Sequence, residues 1–349
     1  MFVYIGTYTN GKSRGIYRAS FEPSTGKLTL DDATGGVQSP SFLAISPGGR
    51  FLYAVEEVDA GQVAAFSIER STGALTFLNR QSARGIWPCH IRLDRTGRYA
   101  LVANYGSGNF AVLPIAADGT LKPVSDVAAH TGKGPNAQRQ EGAHGHSINL
   151  TRDDRFALAC DLGLDSVFVY RFDAGAGRLI ANDPPAAILP PGSGPRHLAL
   201  HPNGTLVLVN SELLGRVTSF RLDPRRGTLT ALDSQTTLPD GFRGENTTAE
   251  VAIHPGGRFA YVSNRGDDSL AIFGVDGKSG KLTRLGHQST QGRTPRNFVI
   301  APGGRFLLAA NQATDDVVVF RIDENTGGLT PIGQRIAVPS PVCVRFLTP

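Results

Sequence analysis

Short runs in which apolar and polar residues alternate fill most of the chain, punctuated by clusters of Gly, Pro, Asp and Asn. The segments SVFVYRFD (166–173), RVTSFRLD (216–223), SLAIFGVD (269–276) and DVVVFRID (316–323) are examples. A period of two bounded by turn formers predicts short β-strands with two distinct faces. The strands recur in a fixed order. A Gly-x-Leu element stands at Gly26, Gly73, Gly119, Gly177, Gly227, Gly280 and Gly327, with spacings of 47, 46, 58, 50, 53 and 47 residues. Between these copies lies a strand, a Pro-Gly-Gly-like turn and a second strand, as in PSFLAISPGGRFLYAVEE and AEVAIHPGGRFAYVSNRG. A third strand follows each, and the residues after Gly-x-Leu supply a fourth.

Four strands repeating at about fifty residues are the signature of a propeller blade. Six complete units leave two remnants. FVYIGTYT, GIYRASFE and KLTL at the N-terminus read as strands two, three and four, and PVCVRFL near the C-terminus reads as strand one. The predicted fold is therefore all-β: a seven-bladed β-propeller with four-stranded blades, its ring closed by the C-terminal strand completing the N-terminal blade. Closure of this kind leaves no long open edge. Length alone would suggest two domains for 349 residues, but the repeat makes residues 1–349 a single propeller domain.

Composition narrows the function. The formal charge is +5 with a pI near 9.2, and the positive residues are dispersed. Without a basic stripe or stacking aromatics, nucleic acid is not an expected partner; a mildly basic chain can instead draw a small anion into a cavity. The cysteines, Cys89, Cys160 and Cys343, lie far apart with no CxxC pair, which excludes a disulfide framework and points to a reducing compartment. MFVYIGTYTN reads as strand and turn rather than a signal peptide, and no stretch approaches a membrane span. The expectation is a cytoplasmic protein, a monomer or weak homo-oligomer, without membrane partner, cofactor or metal. The pair His144 and His146 alone is too small a ligand set for a metal.

Propeller geometry selects the candidate chemistry. Strand one lines the channel and strand two runs antiparallel to it, so the start of one and the end of the other share a rim, with the Pro-Gly-Gly turns opposite. That rim carries Tyr8, Glu56, Glu57, His90, Asn104, Tyr105, His144, His146, Asp161, Arg196, His197, Glu212, Glu250, Asn264, Arg265, Arg296 and Asn311. The other rim reads as plain turn formers, where His201 and His254 have turn roles. Convergent polar groups at one mouth mark a ligand site. Two loops lengthen there: TGKGPNAQRQEGAHGH, with Lys133, Arg139 and Gln140, and TTLPDGFRGENTTAE. Asn104, Asn264 and Asn311 recur at one repeat position, which favours a shared turn role, and Asp161 and Asp165 also suit turn caps. The set His146, Arg196, Glu212 and Arg265 is the stronger signal. His144, His197, Glu250, Arg296, Asn104 and Asp161 complete the expected lining.

The segments HSIN, GPRHLALHPNG, NSEL, AEVAIHPGGRFAYVSNR and TPRNF resemble the seven-bladed propeller lactonases, over essentially the whole chain including the opening YIGTYT. That family includes propeller-type 6-phosphogluconolactonases and the fungal carboxy-cis,cis-muconate cyclase. The resemblance implies metal-independent lactone chemistry at His146, Arg196, Glu212 and Arg265, with Arg296 fitting more loosely and either His144 or His146 as the acid–base group. Arg196 and Arg265 would hold an anionic group or oxyanion. His146 would shuttle a proton. Glu212, its pKa lowered by two arginines, would act as base or orient a partner. The first expectation is a lactonase opening an anionic sugar-acid lactone, 6-phosphogluconolactone to 6-phosphogluconate. The second is a carboxymuconate lactonising or lactone-opening enzyme of aromatic degradation. The third is a non-catalytic propeller scaffold, since fold does not fix function.

Overall fold

In the computed structural model, which describes residues 1–347, seven four-stranded antiparallel sheets form the blades. Their first strands are Pro341–Phe346, Leu43–Ile45, Pro88–Leu93, Gly145–Leu150, Pro195–Leu200, Thr247–Ile253 and Pro295–Ile300. Each contacts the first strand of the next blade, and the last contacts the first, so these strands form a closed inner ring. The blades are numbered here in that order, from the one that joins the two chain ends. There Pro341–Phe346 pairs antiparallel with Phe2–Thr7, placing Ile5 opposite Val344 and Tyr4 opposite Arg345. Ile16–Phe21 and Leu28–Thr34 complete that blade, as the sequence remnants predict. Thr348 and Pro349 lie outside the described residues.

The Gly-x-Leu repeat is explained by packing between blades. Gly327 has φ +73°, and a Cβ there would meet the ring of Phe259 in the preceding blade at 2.5 Å. The hydroxyl of Tyr261 donates to the Gly327 carbonyl at 2.9 Å. The same latch recurs at Gly73, whose carbonyl accepts from Tyr4 (2.8 Å), and at Gly119, which accepts from Tyr53 (3.0 Å). Only a residue without a side chain satisfies both the left-handed backbone and the ring pressed against it. At the Pro-Gly-Gly rim, His201 and His254 bind the carbonyls of Gly257 (2.9 Å) and Gly304 (3.0 Å) in the following blades, the turn role expected of them.

The first strands decide what faces the channel. Their fourth residues (Ile91, Ile148, Leu198, Phe298 and Val344 among them) point into the apolar layers between blades. Simple alternation would send the second residues the same way. Instead, six of the seven first strands shift register near their start, five at the second position and Thr247–Ile253 at Ala249 and Glu250. The residues displaced there include Cys89, His146, Arg196 and Arg296. A bulge adds one residue to a strand and re-aims its side chain. Second and third positions therefore both reach the channel and form two stacked tiers.

Candidate active site

The second-position tier supplies Cys89, His146, Arg196 and Arg296 around the channel. The ends of the second strands supply a ring above it. Alternation there is regular: Asn104, Asp161, Asn264 and Asn311 pair with third-strand partners, and the following residues turn toward the mouth. Tyr105 and Arg265 are two of these, and Tyr8, Glu57 and Glu212 hold the same place after Thr7, Glu56 and Ser211 in other blades.

Glu212 is the centre. Its side chain is 4% exposed. Its Oε2 lies 2.8 Å from Arg196 Nε and 3.0 Å from Arg265 Nη2, with His146 Nε2 at 3.9 Å. Its Oε1 is held at 2.6 Å by Arg139 Nη2, from the long loop before His146. Burial alone would raise the Glu212 pKa; the charges of Arg265, Arg196 and Arg139 outweigh it and bring the value down to about 2. Burial lowers Arg265 to about 9, against the pull of Glu212, so it remains a cation at neutral pH. Arg196 is fixed further by the carbonyl of Ala249, 2.5 Å from its Nη1.

His146 is buried, edge-on to Tyr105 and His197 with ring centroids 5.6 and 5.3 Å away. Burial and then the charge of Arg196 hold its pKa well below 6.5, so the imidazole is neutral at pH 7. Beside it a second group forms: the Tyr8 hydroxyl donates to Glu57 at 3.1 Å, and Arg296 lies over the Tyr8 ring at 5.4 Å. Burial raises the Glu57 pKa despite Arg296. The two carboxylates of this mouth are thus pushed in opposite directions. Among the described residues no three or more His, Cys, Asp and Glu gather as a metal-binding group.

The structure brings together His146, Arg196, Glu212 and Arg265, with Arg296 adjoining. The other expected lining residues go elsewhere. His144 stacks on Tyr105 (4.4 Å, 12°), and its ring nitrogens meet the Tyr105 carbonyl (3.0 Å) and Glu141 (3.1 Å), so it is His146 that faces Glu212. Asn104 and Asp161 do not face the mouth. Asn104 donates to Ala83 O (3.1 Å) and Asn109 Oδ1 (2.6 Å) between strands. Asp161 accepts from His144 N (2.8 Å) and Gly163 N (3.1 Å) and pairs with His130 (2.7 Å). The cause is strand parity, since the mouth-facing position is one residue later. His197 and Glu250 sit one tier deeper, 3.0 Å apart, with Asn297 on the other Glu250 oxygen.

That deeper tier closes the channel. The rings of Phe42, His90 and His197 contact one another at 4.3 Å (Phe42–His90), 5.6 Å (Phe42–His197) and 5.4 Å (His90–His197). This septum divides two spaces. The pocket on the Arg196 side, reaching Glu57, Cys89 and Arg296, holds only about 10 Å³, room for one water at most, and touches neither Glu212 nor His146. The roomier cavity, about 940 Å³, lies beyond the septum toward the Pro-Gly-Gly turns and excludes Glu212 and His146. That rim, expected to be plain, is lined by Arg92 and Arg345 as well as turn residues. The sequence placed Tyr8 and Glu57 on this rim and Arg139 in its long loop, but not the Arg139 bond to Glu212 nor the pairing of Tyr8 with Glu57. The unusual length of the Arg139 loop was the available signal.

A sequence model of the family described as lactonase, 7-bladed beta-propeller matches residues 2–346. The chain is 39% identical over 347 residues to the 6-phosphogluconolactonase of Bacillus subtilis, covering 99% of this chain and 97% of that protein. It is 33% identical over 307 residues to the 6-phosphogluconolactonase of Formosa agariphila, covering 85% of each. Among solved structures, the periplasmic gluconolactonase of Pseudomonas aeruginosa superposes with a TM-score of 0.93 at 34% identity, with 99% of each chain covered.

Proposed function

The chain belongs to the seven-bladed β-propeller lactonase family, and from that footing we propose that it is a lactone hydrolase acting on an anionic sugar-acid lactone, converting 6-phosphogluconolactone to 6-phosphogluconate in the oxidative pentose phosphate route. The observation that carries this reading is the charge of one mouth. Arg139, Arg196, Arg265 and Arg296 gather at one mouth with the carboxylates of Glu212 and Glu57. Four guanidinium groups against two carboxylates leave an excess that suits a phosphate dianion, and planar guanidinium forks match both phosphate and a developing oxyanion.

The proposed chemistry follows from the pKa directions. A carboxylate held at about 2 is a poor base at neutral pH, so Glu212 orients Arg196 and Arg265 rather than accepting a proton. His146, neutral and unbonded at Nε2 apart from its distant Glu212 neighbour, takes the proton from the attacking water. The new C–O bond places negative charge on the carbonyl oxygen, where an arginine stabilises it. Collapse breaks the ring C–O bond, and the departing alkoxide recovers the proton from His146. The Arg139 strap must leave Glu212 Oε1 for a substrate to enter. Its side chain is 38% exposed, so it can swing to the incoming phosphate.

The test compares 6-phosphogluconolactone, gluconolactone and carboxymuconolactone, each corrected for spontaneous hydrolysis. Preference for the phosphorylated lactone, lost in Arg196→Ala, is expected. Equal rates on charged and uncharged sugar lactones would refute the charge argument, and turnover of carboxymuconolactone alone would move the enzyme to aromatic degradation. Cytoplasmic action and a monomeric or weakly associated state belong to the same proposal; the free thiols of Cys89, Cys160 and Cys343 support a reducing setting. Among the described residues no helix is long and apolar enough to cross a membrane. Light scattering over a range of concentrations reads the association state.

A further inference from the structure

We propose that the cavity on the far side of the septum is a second ligand site, one that takes a small organic anion bearing a phosphate or carboxylate group. It is separate from the lactone pocket and needs no turnover there.

The site is built by one repeat position. Two residues beyond the septum tier, each first strand again points into the channel. At that level the ring carries Ala44, Arg92, Asn149, Ala199, Ala252, Val299 and Arg345. Four small side chains leave the space, and the cavity of about 940 Å³ falls in the range of small-molecule pockets. The two large residues are both arginines. They stand on the blades either side of the Ala44 blade, so a gap floored by alanine lies between two guanidinium groups.

Neither arginine has an acidic partner among the described residues. Arg345 donates to the carbonyls of Leu43 (3.2 Å) and Val344 (2.8 Å) and lies over the Phe42 ring at 4.4 Å, which fixes its position against the septum. Among the described residues Arg92 makes no side-chain hydrogen bond or ion pair, and it stands exposed in the cavity. The desolvating walls of the channel, and after them the charge of Arg345, hold the Arg92 pKa below its ordinary value, with Asp154 pulling the other way.

The carboxylates that share this cavity are already engaged. Glu250 binds His197 and Asn297. Asp94 accepts from the backbone of Tyr99 (2.7 Å) and from Thr96. Asp154 accepts from Arg95 N at 2.7 Å. Asp154 and Glu250 act on these guanidinium groups only at a distance; the two groups face one half-open cavity and repel each other, and an anion between them removes that repulsion while satisfying their donors. The aromatic septum keeps this site from exchanging ligand with the catalytic mouth.

Calorimetric titration with glucose 6-phosphate, and separately with citrate, tests the proposal. Both are anions without a lactone ring, and comparing them separates phosphate from carboxylate as the recognised group. Wild type should show two sites. Arg92→Ala/Arg345→Ala should lose one, weakening it at least tenfold, and Arg265→Ala should weaken the other. Arg92→Gln guards against misfolding of the double variant, because the Arg92 side chain makes no hydrogen bond or ion pair among the described residues; with an unchanged melting temperature it should weaken the same site. Binding of both anions that Arg265→Ala abolishes and Arg92→Gln leaves untouched would overturn the second site. Because no turnover is read, the lactonase reading and this one fail separately.

Discussion

Replacing Glu212 by Gln tests whether one buried carboxylate organises the catalytic mouth. The substitution keeps shape and removes charge, leaving Arg196 and Arg265 without a counterion. Breaking a buried ion pair from one side costs about 3–5 kcal/mol, so the variant should be destabilised by that order at pH 7. The pH dependence is the sharper measure. A folded pKa of about 2 against an ordinary 4.5 is worth roughly 3 kcal/mol of stability at neutral pH. Because the folded value is the depressed one, this stabilisation is complete above about pH 5 and fades as pH falls toward 2. Between pH 7 and pH 3, about 2 kcal/mol of it is lost. Urea unfolding of wild type and Glu212→Gln at both pH values isolates the effect, since the other carboxylates titrate alike in both proteins. The stability gap should narrow by about 2 kcal/mol on acidification. A gap that stays constant, or a variant as stable as wild type at pH 7, would show that Glu212 does not neutralise the arginines as described.

Arg196→Lys keeps the charge but loses the fork that reaches Glu212 and Ala249 together, so kcat/KM should fall about 10²–10³-fold, comparable to loss of one oxyanion donor. The depressed His146 pKa places the acid limb of kcat/KM below pH 6.5; a background-corrected pH profile reads it, and a limb above 6.5 would contradict a buried neutral imidazole. Arg139→Ala should shift stability by less than about 1 kcal/mol because that pair is partly exposed, yet raise KM for the phosphorylated lactone several-fold; unchanged KM would remove Arg139 from the site. Gly327→Ala forces a side chain into a left-handed backbone and against Phe259, with an expected cost of about 2–4 kcal/mol, read as a lower melting temperature.

The ring was legible because its causes are local. The Gly-x-Leu glycines mark where each blade receives a large side chain from the preceding one, an aromatic ring at six of them and leucine at Gly280, and these seven contacts count the blades. The split repeat announced the pairing of Phe2–Thr7 with Pro341–Phe346. The site was legible in outline, because His146, Arg196, Glu212 and Arg265 lie at strand ends that the topology sends to one rim. What failed was parity. Asn104 and Asp161 precede the mouth-facing position by one residue, and a strand read from sequence does not reveal which of two neighbours turns inward. Arg139 was out of reach for another reason. Its placement depends on the loop conformation set when Gln140 buries against Leu162 O (2.8 Å) and Asp165 (2.7 Å), contacts remote in sequence.

The bulges explain why one short strand can serve both mouths. With strict alternation, a first strand would present one channel-facing residue near its start, and Arg196 and His197 could not both point inward. The added residue gives six of the seven blades two, so the catalytic tier is built on displaced residues and the septum on the tier beneath, while the following alternate position opens the far cavity. Chemistry and closure are therefore separable in this fold. Changes at Cys89, His146, Arg196 or Arg296 alter the reacting mouth, whereas changes at Phe42, His90 or His197 alter whether the channel is sealed. A pocket sealed on one side excludes water except by the substrate's own route, which strengthens every charge interaction around Glu212. The wide ring of seven blades would otherwise leave an open, water-filled bore, where arginines discriminate poorly between a phosphorylated and a neutral lactone. The septum thus turns a structural channel into a cleft with a floor, and on that floor the selectivity proposed for this enzyme depends.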